Sequence, residues 1–141
     1  MAIVSKLLGN SVRTDPHKVE KSLKHILVAD EHVELAFKVI RDETVFTNFR
    51  IIMVDKKGAT GLKTIYHTIP YNSIVHFSVT SSGVIDIDSE LKIWITGQKD
   101  PLEVGIRRSS KDFYDIQMEL ASHTLAMNTQ LIEKPIHQFE A

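Results

Sequence analysis

The chain has 141 residues, 43% of them hydrophobic and 25% charged, and a formal net charge of −1 at pH 7. This length and composition indicate one globular domain that can bury a core of its own. A charge so close to zero argues against a general nucleic-acid binder, which needs a basic surface to neutralise phosphates. The absence of cysteine excludes disulfides, thiolate metal sites and thiol nucleophiles.

No stretch of the sequence reaches the roughly 18 consecutive apolar residues of a membrane-spanning helix. The first ten residues, MAIVSKLLGN, are apolar but too short and too interrupted for the core of a signal peptide. We therefore expect a cytoplasmic protein. The first ten residues themselves are expected to pack on their own domain, on a neighbouring subunit or on a membrane.

The first predicted element is a helix over residues 16–28. Asp15 precedes Pro16, which is the order of an N-cap followed by proline at the first helical position. Val19, Leu23, Ile26 and Leu27 then recur at helical spacing.

Strands and turns alternate from residue 32 to residue 108. Short runs rich in β-branched and aromatic residues predict seven strands, near residues 33–41, 44–48, 50–55, 63–69, 74–81, 85–96 and 101–107. In the sequence KKGATG, residues 56–61, Gly58 and Gly61 are suited to the positive-φ positions of a hairpin turn.

A second helix is predicted after the strands, with Ser109 or Ser110 as its N-cap. Its apolar stripe consists of Phe113, Ile116, Leu120, Ala121 and Met127, widened by Met118 and Leu125. The predicted fold class is α+β and mostly β: a bent antiparallel sheet or partly open barrel that this helix closes.

One strand carries a row of charged residues. In VIDIDSELKIWI, residues 84–95, alternation places Asp86, Asp88, Glu90 and Trp94 on one face and the aliphatic residues on the other. The carboxylates suit a hard cation, an acid/base pair, a basic partner or a solvated strand face. Because tryptophan is enriched at interfaces, we predict that Asp86, Asp88, Glu90 and Trp94 form an interface rather than a catalytic site.

Arg50 begins a strand directly after a tight reversal. Its guanidinium suits a phosphate or a carboxylate ligand. The alternative, which we favour, is a local ion pair with Asp42, Glu43 or Asp55.

The seven histidines contain no pair at positions i and i+4 and no HExxH motif. No nucleophile elbow and no Walker loop is present. We therefore predict no metal site, no cofactor and no catalytic residue.

The sequence from Leu35 to Val79, LAFKVIRDETVFTNFRIIMVDKKGATGLKTIYHTIPYNSIVHFSV, followed by IDIDSELKIWITG, closely resembles the bacterial pleckstrin-homology (PH) domain family. The resemblance implies a bent seven-stranded antiparallel barrel, capped at one end by a C-terminal amphipathic helix and preceded by an N-terminal helical segment. The implied division is a helical extension over residues 1–30, a PH-like domain over 31–128 and a polar tail over 129–141. The resemblance also implies closed homo-oligomeric rings and no enzymatic activity.

Relatives of this fold in eukaryotes bind phosphoinositides through a lysine and a pair of arginines beside a long basic loop. Lys38 corresponds to the lysine, but Arg50 is followed by isoleucine and the loop is short. We thus expect a non-catalytic module that assembles with copies of itself and displays a surface to other proteins. The alternative is a peripheral membrane module that contacts anionic lipid through Lys38, Arg50, Lys56, Lys57 and Lys63. A third reading, an enzyme, would use Asp86, Asp88 and Arg50.

Overall fold

The computed structural model describes residues 6–60, 62–80, 89–106 and 112–125. The described strands are β1 (Lys6–Arg13), β2 (Val33–Val39), β3 (Asp42–Thr47), β4 (Arg50–Lys57), β5 (Lys63–Pro70), β6 (Ile74–Thr80), β7 (Ser89–Ile95) and β8 (Leu102–Ile106). Helix α1 spans Pro16–Leu23, a short 3-10 helix (Tyr71–Ser73) joins β5 to β6, and helix α2 covers residues 112–125. Each of the seven predicted strands has a counterpart among these eight.

The strands form one sheet in the order β5-β4-β3-β2-β1-β8-β7-β6. Strands β2 to β5 are an antiparallel meander, and β6 to β8 are a second one. Strand β1 lies between the two meanders, antiparallel to β2 and parallel to β8. The sheet is therefore two hairpin-built halves joined through the first strand of the chain.

Strand β1 corrects the prediction for the N-terminal segment, where we expected a helical extension and seven strands in total. The segment was difficult to assign because Gly9, Asn10 and Ser11 interrupt its apolar residues and hide the alternation of a strand. Its pairing with β2 and β8 comes from residues distant in sequence. Residues 6–13 thus belong to the sheet of their own chain.

Two hydrophobic clusters lie on opposite faces of the sheet. The first lies between the two halves and receives Ile116 and Leu120 from α2, both fully buried, so that helix closes the bent sheet as predicted. The second cluster lies on the outer face of β2, β3 and β4, where Val19 and Leu23 of α1 cover it. Strands β2 to β4 are consequently buried on both faces.

Helix α1 begins as predicted, with the Asp15 carboxylate accepting a hydrogen bond from the His17 amide at 2.9 Å. It ends at Leu23, earlier than the predicted residue 28. The Ile26 carbonyl accepts from Arg50, and the Val28 amide donates to Glu31, so both groups have partners outside the helix. The apolar periodicity is still used, because Ile26 and Leu27 pack against the second cluster.

The outer side of α2 differs from the prediction. Met118 and Leu125 are exposed, together with Tyr114, whereas we expected the first two to widen the buried stripe. The buried stripe is narrower than predicted, since Ile116 and Leu120, four residues apart, are the α2 residues of the first cluster. The predicted cap residues Ser109 and Ser110, and Met127, lie outside the described residues.

Two hairpin turns meet at one end of the sheet, where the Lys56 amide donates to the Asp42 carboxylate at 2.9 Å. In the β4–β5 turn Gly58 has the predicted positive φ, 83°, while Gly61 lies outside the described residues. In the β2–β3 turn Ile40 has φ 53°, which a β-branched side chain rarely adopts. Ile40 and Leu62, one from each hairpin, are 91% and 88% exposed. We call this region, which contains Ile40, Asp42, Lys56, Gly58 and Leu62, the hairpin end.

Candidate functional site

Arg50 lies in a dense hydrogen-bond cluster around Glu31, whose side chain is 0% exposed. The Arg50 Nε donates to one carboxylate oxygen of Glu31 at 2.8 Å, and its Nη2 donates to the other at 3.0 Å. Thr47 donates its hydroxyl to the same carboxylate at 2.7 Å, and the Val28 amide donates at 3.0 Å. Every lone pair that this buried charge offers is thereby engaged.

The pKa of Glu31 is lowered. Burial alone would raise it, but the hydrogen bonds from Arg50, the Val28 amide and Thr47 favour the charged form more strongly. Glu31 replaces the predicted partners Asp42, Glu43 and Asp55, which lie at the opposite end of the β3–β4 pair. Local pairing of Arg50 was the favoured prediction; its partner comes instead from the loop before β2.

This geometry separates Arg50 from the lysines grouped with it as an anion contact. Lys56 and Lys57 end β4 and Lys63 begins β5, with Lys57 directly opposite Lys63. Lys38 is exposed on β2 near the same hairpin end. Arg50 lies at the other end of β4, about 20 Å away at roughly 3.3 Å per residue. The structure thus brings the four lysines to one end of the sheet and places Arg50 at the other.

The predicted interface on β7 is described only in its second half. Asp86 and Asp88 lie outside the described residues. Glu90, Lys92 and Trp94 share one face of β7, opposite the buried Leu91 and Ile93. The Lys92 ammonium lies 3.4 Å from Glu90 and 3.7 Å from Glu103 on β8. The His76 ring of β6 stacks on Trp94 at a centroid distance of 4.3 Å.

A second cluster of ionisable groups joins α2 to β2. The His123 Nε2 lies 2.6 Å from the Glu34 Oε1 and 3.2 Å from the Glu119 Oε1. One oxygen from each carboxylate and one imidazole nitrogen all lie within 4.8 Å of one another. The Tyr71 ring stacks on His123 at 4.4 Å, and its hydroxyl donates to the Thr47 carbonyl at 2.6 Å, which holds the stack in place. We call Glu34, Glu119 and His123 the helix–strand cluster.

The two carboxylates of the helix–strand cluster have opposite pKa shifts. Burial raises the pKa of Glu119 to about 8, with a further contribution from its hydrogen bond to Glu34. The pKa of Glu34 is lowered: burial would raise it, but the hydrogen bonds to Glu119 and His123 outweigh that effect. Burial and the nearby carboxylates also raise the pKa of Tyr71. The protonated Glu119 carboxyl therefore donates a hydrogen bond to Glu34, unless a cation occupies the position of that proton.

The sequence prediction missed the helix–strand cluster. Our survey compared histidines only with other histidines, whereas Glu119 and His123 have the i and i+4 spacing that brings two ligands together on a helix. That pair was the available signal. Glu34 joins it through tertiary packing from 85 residues earlier in the chain, and no local pattern marks it.

A bent sheet of two antiparallel meanders, closed by a C-terminal helix, defines a PH-like fold. A crystal structure of a DUF1696 family protein with a pleckstrin-homology domain from Shewanella loihica PV-4 is similar, with a TM-score of 0.76 and 42% identity over 84% of this chain and 100% of that chain. A pleckstrin homology domain from Shewanella amazonensis SB2B has a TM-score of 0.65 and 44% identity over 84% of this chain and 95% of that one.

Residues 2–124 match the sequence model of the bacterial PH domain family. The uncharacterized protein YjqA of Bacillus subtilis (strain 168) is 47% identical over 122 residues, which are 86% of this chain and 98% of YjqA. The chain belongs to the bacterial PH domain family, and the resemblance read from its sequence is confirmed.

Substituting Arg50→Ala leaves the buried Glu31 carboxylate without its cation. We expect the free energy of unfolding to fall by about 3–5 kcal/mol, measured by urea unfolding at pH 7. Lys63→Ala is the matched control, since Lys63 is an exposed cation at the start of β5, and its removal should cost less than about 1 kcal/mol. Equal losses in the two variants would contradict the assignment.

Glu31 also gives a pH dependence with a definite sign. Because its folded pKa lies below its ordinary value of 4.5, its stabilisation is complete above that value and is lost as pH falls through the folded pKa.

Glu119 gives the opposite pH dependence, tested with Glu119→Gln. Its folded pKa of about 8 exceeds the ordinary 4.5, so its contribution is full below pH 4.5 and is lost as pH rises through 8. Each pKa unit corresponds to about 1.4 kcal/mol, so Glu119→Gln should gain up to a few kcal/mol relative to wild type between pH 5 and pH 8. Urea unfolding in EDTA measures this difference. A Glu119→Gln slope equal to wild type would refute the shift.

Proposed function

We propose that this protein is a non-catalytic interaction module of the cytoplasm that assembles with copies of itself into a closed ring and presents its outer surface to other proteins. One observation carries the proposal: the two halves of the sheet are covered unequally. Helix α1 covers the outer face of β2 to β4. No described element covers the outer face of β6 and β7, where Glu90, Lys92 and Trp94 lie.

The chemistry of this open face suits a protein partner. Trp94 and His76 form a flat aromatic pair, and the charged row of Glu90, Lys92 and Glu103 borders it. Val75, next to His76 on β6, is 63% exposed. An aromatic anchor surrounded by ion pairs is the usual composition of an interface centre and its rim. We call Val75, His76, Glu90, Lys92 and Trp94 the β6–β7 surface.

The edges of the sheet support assembly by the same region. Within the described residues, β6 pairs only with β7 and β5 pairs only with β4, so each has an edge whose backbone groups can accept another strand. A contact between the β6–β7 surface of one copy and a different surface of the next is heterologous. Repetition of such a contact closes into a ring when its rotation permits.

A catalytic role is less well supported. An enzyme built on Asp86 and Asp88 would need Arg50 as its cationic group, but Arg50 is held by Glu31 through two hydrogen bonds. Arg50 also donates to Thr68 at 2.9 Å and to the Ile26 carbonyl at 2.8 Å, which leaves little donor capacity for a substrate.

Trp94→Lys tests the assembly. Size-exclusion chromatography with light scattering should give a mass of several subunits for the wild type and a smaller mass for Trp94→Lys, because loss of an aromatic anchor costs about 2 kcal/mol or more at each contact. Met118→Lys is the matched control: Met118 is 70% exposed, on the outer side of α2 and away from the β6–β7 surface, and its mass should not change. A monomeric wild type would refute the proposal.

Membrane association is a second candidate function, favoured by the hairpin end. Exposed Ile40 and Leu62 project there beside Lys38, Lys56, Lys57 and Lys63. Aliphatic tips within a basic border suit an anionic lipid surface, where each lysine contributes about 1 kcal/mol. Neither described helix has the length and hydrophobicity that crossing a bilayer requires. Repetition around a ring would strengthen weak single contacts.

The substitution Ile40→Asn tests whether the hairpin end contacts lipid or has only a structural role. Asparagine tolerates the left-handed backbone at this position, so we expect stability to rise by about 1 kcal/mol. Sedimentation with phosphatidylserine vesicles should fall at the same time, because an apolar tip is lost. Met118→Asn, on the exposed outer side of α2, is the control that should leave sedimentation unchanged. Vesicle binding equal to wild type in Ile40→Asn would exclude the hairpin end as a lipid contact.

A further inference from the structure

The helix–strand cluster connects α2 to β2 through charged side chains. Its three groups come from β2 and from two successive turns of α2. Glu119 and His123 are largely shielded from solvent, and the Glu34 side chain is 38% exposed. One side of the cluster therefore faces water and the other faces the core.

The composition of the cluster is unusual for a surface ion pair. Two carboxylates contact the same imidazole nitrogen, and a single Nε2 proton cannot serve both well. Two carboxylates brought this close repel each other unless a proton or a cation lies between them. An imidazole nitrogen and two carboxylate oxygens are together a ligand set that Zn²⁺ accepts in proteins.

The distances are also those of a metal site that needs little rearrangement. Zinc bonds of 2.0–2.2 Å in a tetrahedron place neighbouring ligand atoms about 3.4 Å apart. The His123 Nε2 and the Glu119 Oε1 are already 3.2 Å apart. The Glu34 oxygen is 2.6 Å from His123 and must retreat by less than about 1 Å, and its exposed side chain is free to move outward. The stacked Tyr71 ring restricts the orientation of the imidazole.

We propose that Glu34, Glu119 and His123 bind one divalent transition metal ion, Zn²⁺ being the best match, with solvent as the fourth ligand. The ion fastens α2, the helix that closes the sheet, to β2. This proposal departs from the sequence-based expectation of no metal site, and it is independent of the assembly proposed above. The role of the ion is structural, because it lies between two packed elements, α2 and β2.

Binding is tested by isothermal titration of the EDTA-treated full chain with ZnCl₂. We expect one ion per chain with a dissociation constant in the micromolar range or below, and an increase in the thermal midpoint with added Zn²⁺. Glu34→Gln and His123→Ala should each weaken binding by tenfold or more. His17→Ala is the matched control, since it removes an exposed histidine from α1, and its affinity should equal that of wild type.

Two results would overturn the metal site. One is the absence of saturable binding at one ion per chain. The other is an affinity unchanged by Glu34→Gln; because the Glu34 side chain is 38% exposed, this variant should fold even if His123→Ala does not. Binding lost equally in His17→Ala would assign the ion to other histidines and would overturn the proposal as well.

Discussion

The buried carboxylate of Glu31 is the interaction on which the arrangement of this protein depends. It lies in the loop between α1 and β2, and its ligands come from β3, from β4 and from the chain just after α1. Through Arg50 it also reaches the carbonyl of Ile26. A charge at this depth is tolerated only because every ligand is in place. The same contacts hold α1 over the outer face of β2 to β4, which makes that half of the sheet buried on both sides.

The elements with strong local signals were predictable from the sequence. The seven central strands and both helices follow from alternation, turn residues and the Asp15–Pro16 cap, and the family resemblance is confirmed. Strand β1 was not predictable, because its pairing depends on residues far away and its own sequence lacks alternation. The shorter α1 has a similar cause: Glu31 and Arg50 take over the backbone groups that would have continued it. Local propensity favours the helix, and hydrogen bonds from distant polar side chains determine the residue at which it ends.

The candidate site divides in the same way. The row containing Glu90 and Trp94 was predictable because a strand alternates its faces, and Leu91 and Ile93 are indeed buried behind it. The sequence prediction grouped Arg50 with the lysines, whereas the pairing of β4 with β5 places Arg50 and the lysines at opposite ends of these strands. The helix–strand cluster needed the packing of α2 against β2. The β6–β7 surface and that cluster use different elements, so a defect in assembly and a defect in metal binding can be told apart.

The position of β1 between β2 and β8 has a consequence for how the chain folds. Lys6 pairs with Glu103 and Leu7 pairs with Val104, contacts that span about a hundred residues. Such pairings are slow to form because a long loop must close first. On a ribosome that adds about 5–20 residues per second, β1 waits roughly 5 to 20 seconds for its partner in β8. During that time β1 can pair with β2 alone, and its other edge stays open to the strands of neighbouring chains. Because β1 is synthesised before β8, one edge of β1 is exposed until the sheet is complete. The concentration of nascent chains during expression should therefore influence the fraction of protein that folds correctly.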